Sequence, residues 1–229
     1  MPEMPLALVT GASRGIGAAV AAALAPTHRV LLGGRDADAL ARVAEDLPGA
    51  QPWPVDLTDF PSVRAATARI GRLDALVHSA GVADLGSVAD TAPESWRLNF
   101  EVNVVAVAEL TRVLLPALRA ARGHVVVVNS GQGRNARAGW GPYAASKFAV
   151  RAFADVLRAE EEGNGLRVTS VFPGRTDTDM QRSVTAAEGT EYTPEAYLRP
   201  SSVAAVVAAA VTASGDAHQT EIVIRPSQG

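Results

Sequence analysis

Short apolar runs alternate with helical segments along this 229-residue chain, and this alternation limits the folds available to it. Apolar runs that end in glycine, proline or polar residues are typical of strands buried on both faces of a sheet. We expect strands at residues 6–9, 29–32, 50–55, 73–79, 124–129, 166–172 and 221–224. We expect helices at residues 16–24, 37–47, 61–70, 93–121, 144–162 and 202–213, the long one breaking near Pro116. The pattern predicts one three-layered α/β domain over residues 1–229, with a doubly wound parallel sheet.

The composition narrows the function classes. The formal net charge is −3, which argues against a surface for nucleic acid or anionic membrane. The chain has no cysteine, and its histidines share no metal-ligand spacing, so we expect no metal site. The start of the chain lacks the positive charge of a secretory signal, and the longest apolar stretch, residues 203–211, is far shorter than the ~20 residues that span a bilayer. We therefore expect a soluble, cytoplasmic protein.

A glycine-rich loop joins the first expected strand to the first expected helix. It contains Gly11, Ser13, Arg14, Gly15, Ile16 and Gly17. Gly11 would allow a tight turn, Gly15 would let the backbone approach a pyrophosphate, and Gly17 would let the helix pack closely on the strand. The free N–H groups at the helix start favour phosphate. The loop predicts a dinucleotide site, and the alternative is an ordinary turn that needs glycine.

The end of the second expected strand bears on the choice of cofactor. A carboxylate there would hold the ribose hydroxyls of NAD, but this chain has Gly34 followed by Arg35. The nearest acid, Asp36, comes two places late. Arg35 and Arg14 could grip a 2′-phosphate through bidentate hydrogen bonds, which predicts NADP(H) as the cofactor. The alternative is that both arginines are solvated surface charges.

Three side chains in the second half of the chain form a candidate catalytic set. Tyr143 and Lys147 are four residues apart, so they lie on one face of the expected helix. A neighbouring ammonium lowers the pKa of a tyrosine from its usual value of about 10, and Lys147 together with a cationic nicotinamide would make Tyr143 a usable acid/base. Ser130 follows a strand of four valines, at an edge where parallel sheets place their ligand groups. Its hydroxyl can donate to a substrate oxygen as charge develops there.

Taken in order, these residues resemble the motifs of the short-chain dehydrogenase/reductase family in its smaller, single-domain form. The resemblance covers residues 6 to about 225 of the chain. It is carried by the glycine loop, Asp56, residues 78–81, Asn103, Ser130, Tyr143 with Lys147, and Pro173 with Gly174. It implies a Rossmann-like fold and reversible hydride transfer between NADP(H) and a small or medium carbonyl or alcohol.

The resemblance also implies a role for each catalytic position. Tyr143 would be the general acid/base, and Ser130 would orient the substrate oxygen. Lys147 would lower the pKa of Tyr143 and bind the nicotinamide ribose. Asn103 would hold a water in a proton relay to Lys147, unless it only forms hydrogen bonds within its own helix.

Further positions would contact the cofactor. Asp56 and Leu57 would contact the adenine, with Asp56 accepting from its amino group, although Asp56 could instead cap a helix or turn. Pro173 and Gly174 would border the nicotinamide, and Thr178 would bond its carboxamide or the phosphates, with Thr176 as a rival. The expected cofactor set is Gly11, Ser13, Arg14, Gly15, Ile16, Gly17, Arg35, Asp56, Leu57, Ala80, Gly81, Tyr143, Lys147, Pro173, Gly174, Thr176 and Thr178.

The chain departs from the family pattern after its fourth strand. The usual Asn-Asn-Ala-Gly is His-Ser-Ala-Gly over residues 78–81, and we expect His78 to be structural rather than catalytic. Residues 175–200 show no clear periodicity and follow a strand, so we expect a flap over the ligand crevice. Trp140 is interpreted as a packing residue.

The loop at residues 131–137 is open to two interpretations. It could line the substrate pocket beside Ser130, with Gln132 or Arg134 touching the ligand, or it could be a solvated loop.

These observations predict an NADP(H)-dependent oxidoreductase that acts on CH–OH or C=O groups of a small molecule. Two rivals remain, a non-catalytic NADP(H)-binding redox sensor or regulator, and a sugar-nucleotide epimerase or dehydratase of the longer sister group. The intact Ser130, Tyr143 and Lys147 argue against the first, and the glycine spacing and chain length argue against the second.

In this family the helix that carries Tyr143 often builds a dimer interface, so an apolar face there predicts a homodimer or homotetramer. That face consists of Phe148, Val150, Phe153 and Leu157.

Overall fold

Seven parallel strands form one sheet in the computed structural model, which describes residues 4–227. The strands are β1 (Leu6–Thr10), β2 (Arg29–Gly34), β3 (Gln51–Pro54), β4 (Ala75–His78), β5 (His124–Val128), β6 (Arg167–Pro173) and β7 (Glu221–Ile224). Their order across the sheet is β3-β2-β1-β4-β5-β6-β7, so the winding reverses between β1 and β4. The predicted doubly wound parallel sheet is confirmed. Ligands of such sheets bind at the carboxyl ends of the strands, beside the reversal.

Helices cover both faces of the sheet and complete three layers. They are α1 (Gly15–Leu24), α2 (Ala37–Glu45), α3 (Phe60–Thr67), α4 (Pro93–Phe100), α5 (Ala106–Ala121), α6 (Gly141–Glu161), α7 (Asp179–Ala187) and α8 (Pro200–Val211). One core cluster joins α1, α2 and α8 to the sheet, and a second joins α3, α5 and α6. Leu8 and Val9 of β1 are fully buried in opposite clusters. Strands covered on both faces produce continuous apolar runs, which is why the sequence reveals them.

The long helical segment breaks at a different place from the one predicted. A π-helical turn at Glu101–Val105 separates α4 from α5, and α5 continues through Pro116. Leu114 and Leu118, on either side of the proline, are buried in the core, and this packing outweighs the local cost of a proline in a helix. The break therefore falls at Asn103, and π-helical turns are frequent at functional sites.

Residues 175–200 contain more regular structure than the sequence suggested. They include α7, whose start is capped by Thr178, since its hydroxyl accepts a hydrogen bond of 3.2 Å from the Gln181 N–H. A threonine followed three places later by glutamine is a helix-start signal that the sequence interpretation did not use. A flap over the crevice stays a prediction.

The apolar face predicted on α6 is divided between two environments. Val150 and Leu157 are buried in the core, and Phe153 packs partly against the same cluster. Phe148 is 41% exposed. Only part of that face is available for contact with a second subunit, and the homodimer or homotetramer stays a prediction. No helix within residues 4–227 combines the length and the apolar character needed to cross a membrane.

Candidate active site

A cleft of about 820 Å³ opens at the carboxyl edge of the sheet. Segments that follow all seven strands line it, together with the start of α6. All the predicted cofactor residues line this cleft, as do Ser130, Tyr143 and Lys147. The fold therefore brings together residues that are as far apart in the chain as Gly11 and Thr178.

The glycine loop after β1 has the shape that the sequence predicted. Gly11 has a φ of +68°, and a Cβ atom there would lie 2.9 Å from the Ala80 backbone. A Cβ atom on Gly17 would lie only 2.1 Å from the Gly11 carbonyl oxygen, so α1 packs directly on the loop. The tight turn and the close packing are confirmed. The start of α1 thus faces the cleft, where its free N–H groups suit a pyrophosphate.

Two arginines line the cofactor end of the cleft, and no carboxylate at the end of β2 does. Arg14 and Arg35 both line the cleft. Asp36 does not line it, and its carboxylate accepts a 2.9 Å hydrogen bond from the Ala39 N–H at the start of α2. The Arg14 side chain is 76% exposed, and its Nε lies 3.6 Å from an oxygen of Asp179. This exposed pair is weak, which leaves the Arg14 guanidinium able to meet a phosphate.

Asp56 lines the cleft, where it stabilises a turn through one carboxylate oxygen and leaves the other free to accept a hydrogen bond. One of its oxygens, Oδ1, accepts hydrogen bonds from the Thr58 N–H and hydroxyl at 2.9 and 2.8 Å. These bonds, with a smaller contribution from Arg35, hold the pKa of Asp56 below its usual value. Both bonds use Oδ1, so Oδ2 can accept from an adenine amino group. The turn role and the predicted adenine contact are therefore compatible.

The two rival threonines occupy different places on the cleft wall. The Thr176 hydroxyl is turned back to the Gly174 carbonyl oxygen at 3.1 Å. The Thr178 methyl carbon lies 3.3 Å from the position that a Cβ on Gly15 would take. Thr178 is therefore next to the glycine loop, and Thr176 is next to the segment predicted to border the nicotinamide.

Tyr143 and Lys147 lie side by side at the start of α6. Their exposed fractions are 7% and 6%. The Lys147 Nζ lies 5.6 Å from the centroid of the Tyr143 ring, and it donates a 3.4 Å hydrogen bond to the Val128 carbonyl oxygen at the end of β5. Ser130 follows β5, and its hydroxyl accepts a hydrogen bond of 3.1 Å from the Gln132 N–H. The strand end and the helix start thus place the three predicted catalytic side chains on one wall.

In the protein alone, burial shifts the pKa values of Tyr143 and Lys147 in opposite directions. Burial raises the pKa of Tyr143 above its usual value of about 10, and hydrogen bonding with Ser130 opposes that rise. Burial also lowers the pKa of Lys147 to about 8. The predicted lowering of the Tyr143 pKa depends on a cationic nicotinamide as well as on Lys147, so it stays a prediction. In the protein by itself, desolvation of the phenolate is the largest effect.

Asn103 lies behind the cleft wall and connects three elements. Its Nδ2 donates to the Val82 carbonyl oxygen at 2.9 Å and to the Ser146 hydroxyl at 3.0 Å, and its Oδ1 accepts from the Val82 N–H at 2.9 Å. These bonds tie the π-helical turn to the loop after β4 and to α6. The side chain therefore does not bond within its own helix, and its part in a proton relay stays a prediction.

His78 is buried at the end of β4 and does not line the cleft. Its Nε2 lies 2.9 Å from the Thr111 hydroxyl, and burial lowers its pKa to about 3. A neutral, enclosed imidazole agrees with the structural role expected for it. The described part of the chain contains no group of three or more side chains able to hold a metal ion.

Several cleft residues were missed or misplaced by the sequence interpretation. Trp140 lines the cleft, with its ring centroid 5.7 Å from that of Tyr143, so it is more than a packing residue. Gln132 lines the cleft as expected, whereas Arg134 does not and pairs with Glu221 at 3.0 Å. Arg225 also lines the cleft. Its signal was its place directly after the last strand of a parallel sheet.

Comparison with known proteins shows the family of this chain. The family model described as short chain dehydrogenase matches residues 5–189. Glycine betaine reductase ATRR from Emericella nidulans is 38% identical over 99% of this chain, which spans only 19% of that longer protein. The structure of an alcohol dehydrogenase from the archaeon Thermococcus sibiricus, complexed with 5-hydroxy-NADP, is 27% identical with a TM-score of 0.89, covering 98% of this chain and 97% of that one. A short chain dehydrogenase from Shigella flexneri 2a, complexed with NADP, is 31% identical with a TM-score of 0.87, covering 96% and 95%.

Proposed function

Because the chain belongs to the short-chain dehydrogenase/reductase family of oxidoreductases, we propose that it transfers a hydride between NADP(H) and a small or medium carbonyl or alcohol. The observation that carries this proposal is the pairing of Tyr143 and Lys147, buried side by side on the cleft wall that Ser130 also lines. A protein that only bound the dinucleotide would not need a buried ammonium beside a buried phenol, since each costs free energy to desolvate.

The residues of the cleft fit NADP(H). The glycine loop and the start of α1 would hold the pyrophosphate, Arg14 and Arg35 the 2′-phosphate, and Asp56 the adenine. The capping role of Asp36 supports this choice, because it leaves no carboxylate at the end of β2 to select NAD. The NADP in the Shigella structure and the 5-hydroxy-NADP in the Thermococcus structure also support it. When bound, the nicotinamide supplies or accepts the hydride.

The side chains of this protein would carry out the proton transfer that accompanies the hydride transfer. In reduction the Tyr143 hydroxyl donates its proton to the carbonyl oxygen, and its raised pKa keeps that proton in place at neutral pH. The Ser130 hydroxyl donates a hydrogen bond to the same oxygen as charge develops on it. The Lys147 ammonium stabilises the phenolate that remains, and at pH 7 a pKa of about 8 leaves most of it charged. Oxidation of an alcohol would use the same groups in reverse.

Replacing one hydroxyl tests this role for Tyr143. Tyr143→Phe should lower NADPH-dependent carbonyl reduction by at least about 100-fold, while the Kd for NADPH, from fluorescence titration, stays within about twofold. Thr27→Val, which removes a hydroxyl outside the cleft and the expected flap, is the control and should keep full turnover. Wild-type turnover in Tyr143→Phe would refute the mechanism. Tight NADPH binding with no oxidation across a broad screen of aldehydes and ketones would favour the redox sensor instead.

A further inference from the structure

Arg225 brings its guanidinium to the catalytic end of the cleft, which is the part lined by Ser130, Tyr143 and Lys147. It directly follows β7, which pairs in parallel with β6, so it emerges at the edge where Ser130 lies. Its Nη1 donates to the Phe172 carbonyl oxygen at 2.9 Å and to the Ile224 carbonyl oxygen at 3.3 Å. Its Nη2 lies 3.2 Å from the position that a Cβ on Gly131 would take. The charge is thus held beside the residue that follows Ser130.

This guanidinium has hydrogen-bonding capacity that the protein does not use. An arginine has five N–H donors, and both hydrogen bonds of Arg225 use Nη1. Nε and Nη2 have no partner within residues 4–227, and no carboxylate of that part of the chain lies within 4.0 Å. Nearby arginines differ in this respect: Arg134 and Arg151 both pair with Glu221, at 3.0 Å each.

The surrounding wall adds polar groups and no negative charge. Arg137 lines the cleft and has no acidic partner among the described residues. Gln132 also lines it, is 8% exposed, and its side-chain carbonyl oxygen has no hydrogen-bond partner in the described chain. The carboxylates on the cleft wall within residues 4–227 are Asp56 and Asp179, and both lie with the cofactor arginines. The catalytic end is therefore positively charged.

We propose that the substrate carries a carboxylate in addition to its reacting carbonyl, and that Arg225 binds this carboxylate. The proposal rests on the reductase function proposed above and names its substrate class, the oxo acids. The free Nε and Nη2 atoms form one side of the guanidinium fork, which matches the two oxygens of a carboxylate. Gly131 provides the room for this fork beside Ser130, since any side chain there would meet it.

Matched pairs of substrates test the proposal. The probes are 4-oxobutanoate, 5-oxopentanoate and 6-oxohexanoate, each compared with its methyl ester in NADPH-dependent reduction. Wild-type kcat/KM should favour at least one acid over its ester by about tenfold or more, mainly through KM, and Arg225→Gln should reduce that ratio by about tenfold. A preference for the ester in all three pairs, or an unchanged ratio in Arg225→Gln, would overturn the proposal.

Two further variants distinguish the paired hydrogen-bond donors of the Arg225 guanidinium from its positive charge. Arg225→Lys keeps the positive charge and loses the fork, so it should recover only part of the acid preference. Arg42→Gln makes the same charge change on the exposed side of α2, away from the cleft, and should leave the ratio unchanged.

A binding measurement separates this proposal from the proposed function. Glutarate has no carbonyl to reduce, and its binding to the NADP-loaded protein can be followed by calorimetry. Binding that weakens about tenfold or more in Arg225→Gln would support the carboxylate site even if no aldehyde were reduced. Reduction of neutral aldehydes without measurable glutarate binding would keep the reductase function and overturn the carboxylate site.

Discussion

The side-chain amide of Asn129 donates a hydrogen bond of 3.0 Å to the carbonyl oxygen of Lys147. The Asn129 Oδ1 accepts a 2.8 Å hydrogen bond from the Ser130 N–H. One buried side chain therefore sets the distance between the end of β5, which carries Ser130, and the turn of α6 that carries Lys147. Asn129 touches no reacting atom in the proposed mechanism, so it is a positioning residue.

Asn129→Ala should lower kcat by about 10- to 100-fold, because small displacements of catalytic groups are costly. It should also lower the free energy of unfolding by about 1–3 kcal/mol, since the Lys147 carbonyl loses a buried donor. Steady-state kinetics and urea unfolding measure the two effects. Asn164→Ala removes an amide bonded to Glu161, outside the cleft, and should keep its kcat. A wild-type kcat in Asn129→Ala would show that the link is not needed.

Gly81 lies beside both the Asn103 side chain and the Lys147 ammonium. A Cβ atom at Gly81 would lie 3.0 Å from the Asn103 Oδ1 and 3.7 Å from the Lys147 Nζ. Gly81→Ala should therefore displace one of these groups and reduce kcat/KM by about tenfold or more. Gly71→Ala is the control, because a Cβ there has nothing within 4 Å. Equal kinetics in the two variants would contradict the close fit.

The proposed preference for NADP(H) over NAD(H) depends on Arg35, which directly follows β2, and on Arg14 in the glycine loop. Arg35→Gln should raise the KM for NADPH by about 10- to 100-fold and leave the KM for NADH nearly unchanged, since only NADPH has the 2′-phosphate. Arg42→Gln makes the same substitution on α2 outside the cleft and should change neither value. If Arg35→Gln raises both KM values equally, Arg35 does not recognise the 2′-phosphate.

Burial of Lys147 should make stability depend on pH. The pKa of Lys147 is about 8 in the folded protein and about 10.5 when unfolded. Between these values the unfolded chain binds more protons, so this group raises the unfolding free energy as pH increases. The free energy of wild type minus that of Lys147→Met should rise by up to about 3 kcal/mol between pH 7.5 and pH 10 in urea unfolding. A flat difference would mean that Lys147 is better solvated than the structure indicates.

Local sequence patterns were sufficient to predict the strands and most helices, but they failed where tertiary packing decides where a helix breaks. The strands were predicted to within two residues at each end, because burial on both faces makes the central strands largely apolar runs with distinct ends. The break in the long helix was placed at Pro116 rather than at Glu101–Val105. A π-helical turn leaves no mark in local composition, whereas the cost of a proline can be offset by buried neighbours.

The sequence by itself determined the layers of the fold and the wall on which Ser130, Tyr143 and Lys147 meet. It could do so because parallel strands all end at one edge, so residues that follow strands must gather there. Only the tertiary structure decided that Asn103 holds Val82 and Ser146, that Arg225 reaches the catalytic end, and that burial raises the Tyr143 pKa in the protein alone. These properties depend on distances between remote segments and on the exclusion of water, and no spacing along the chain encodes either.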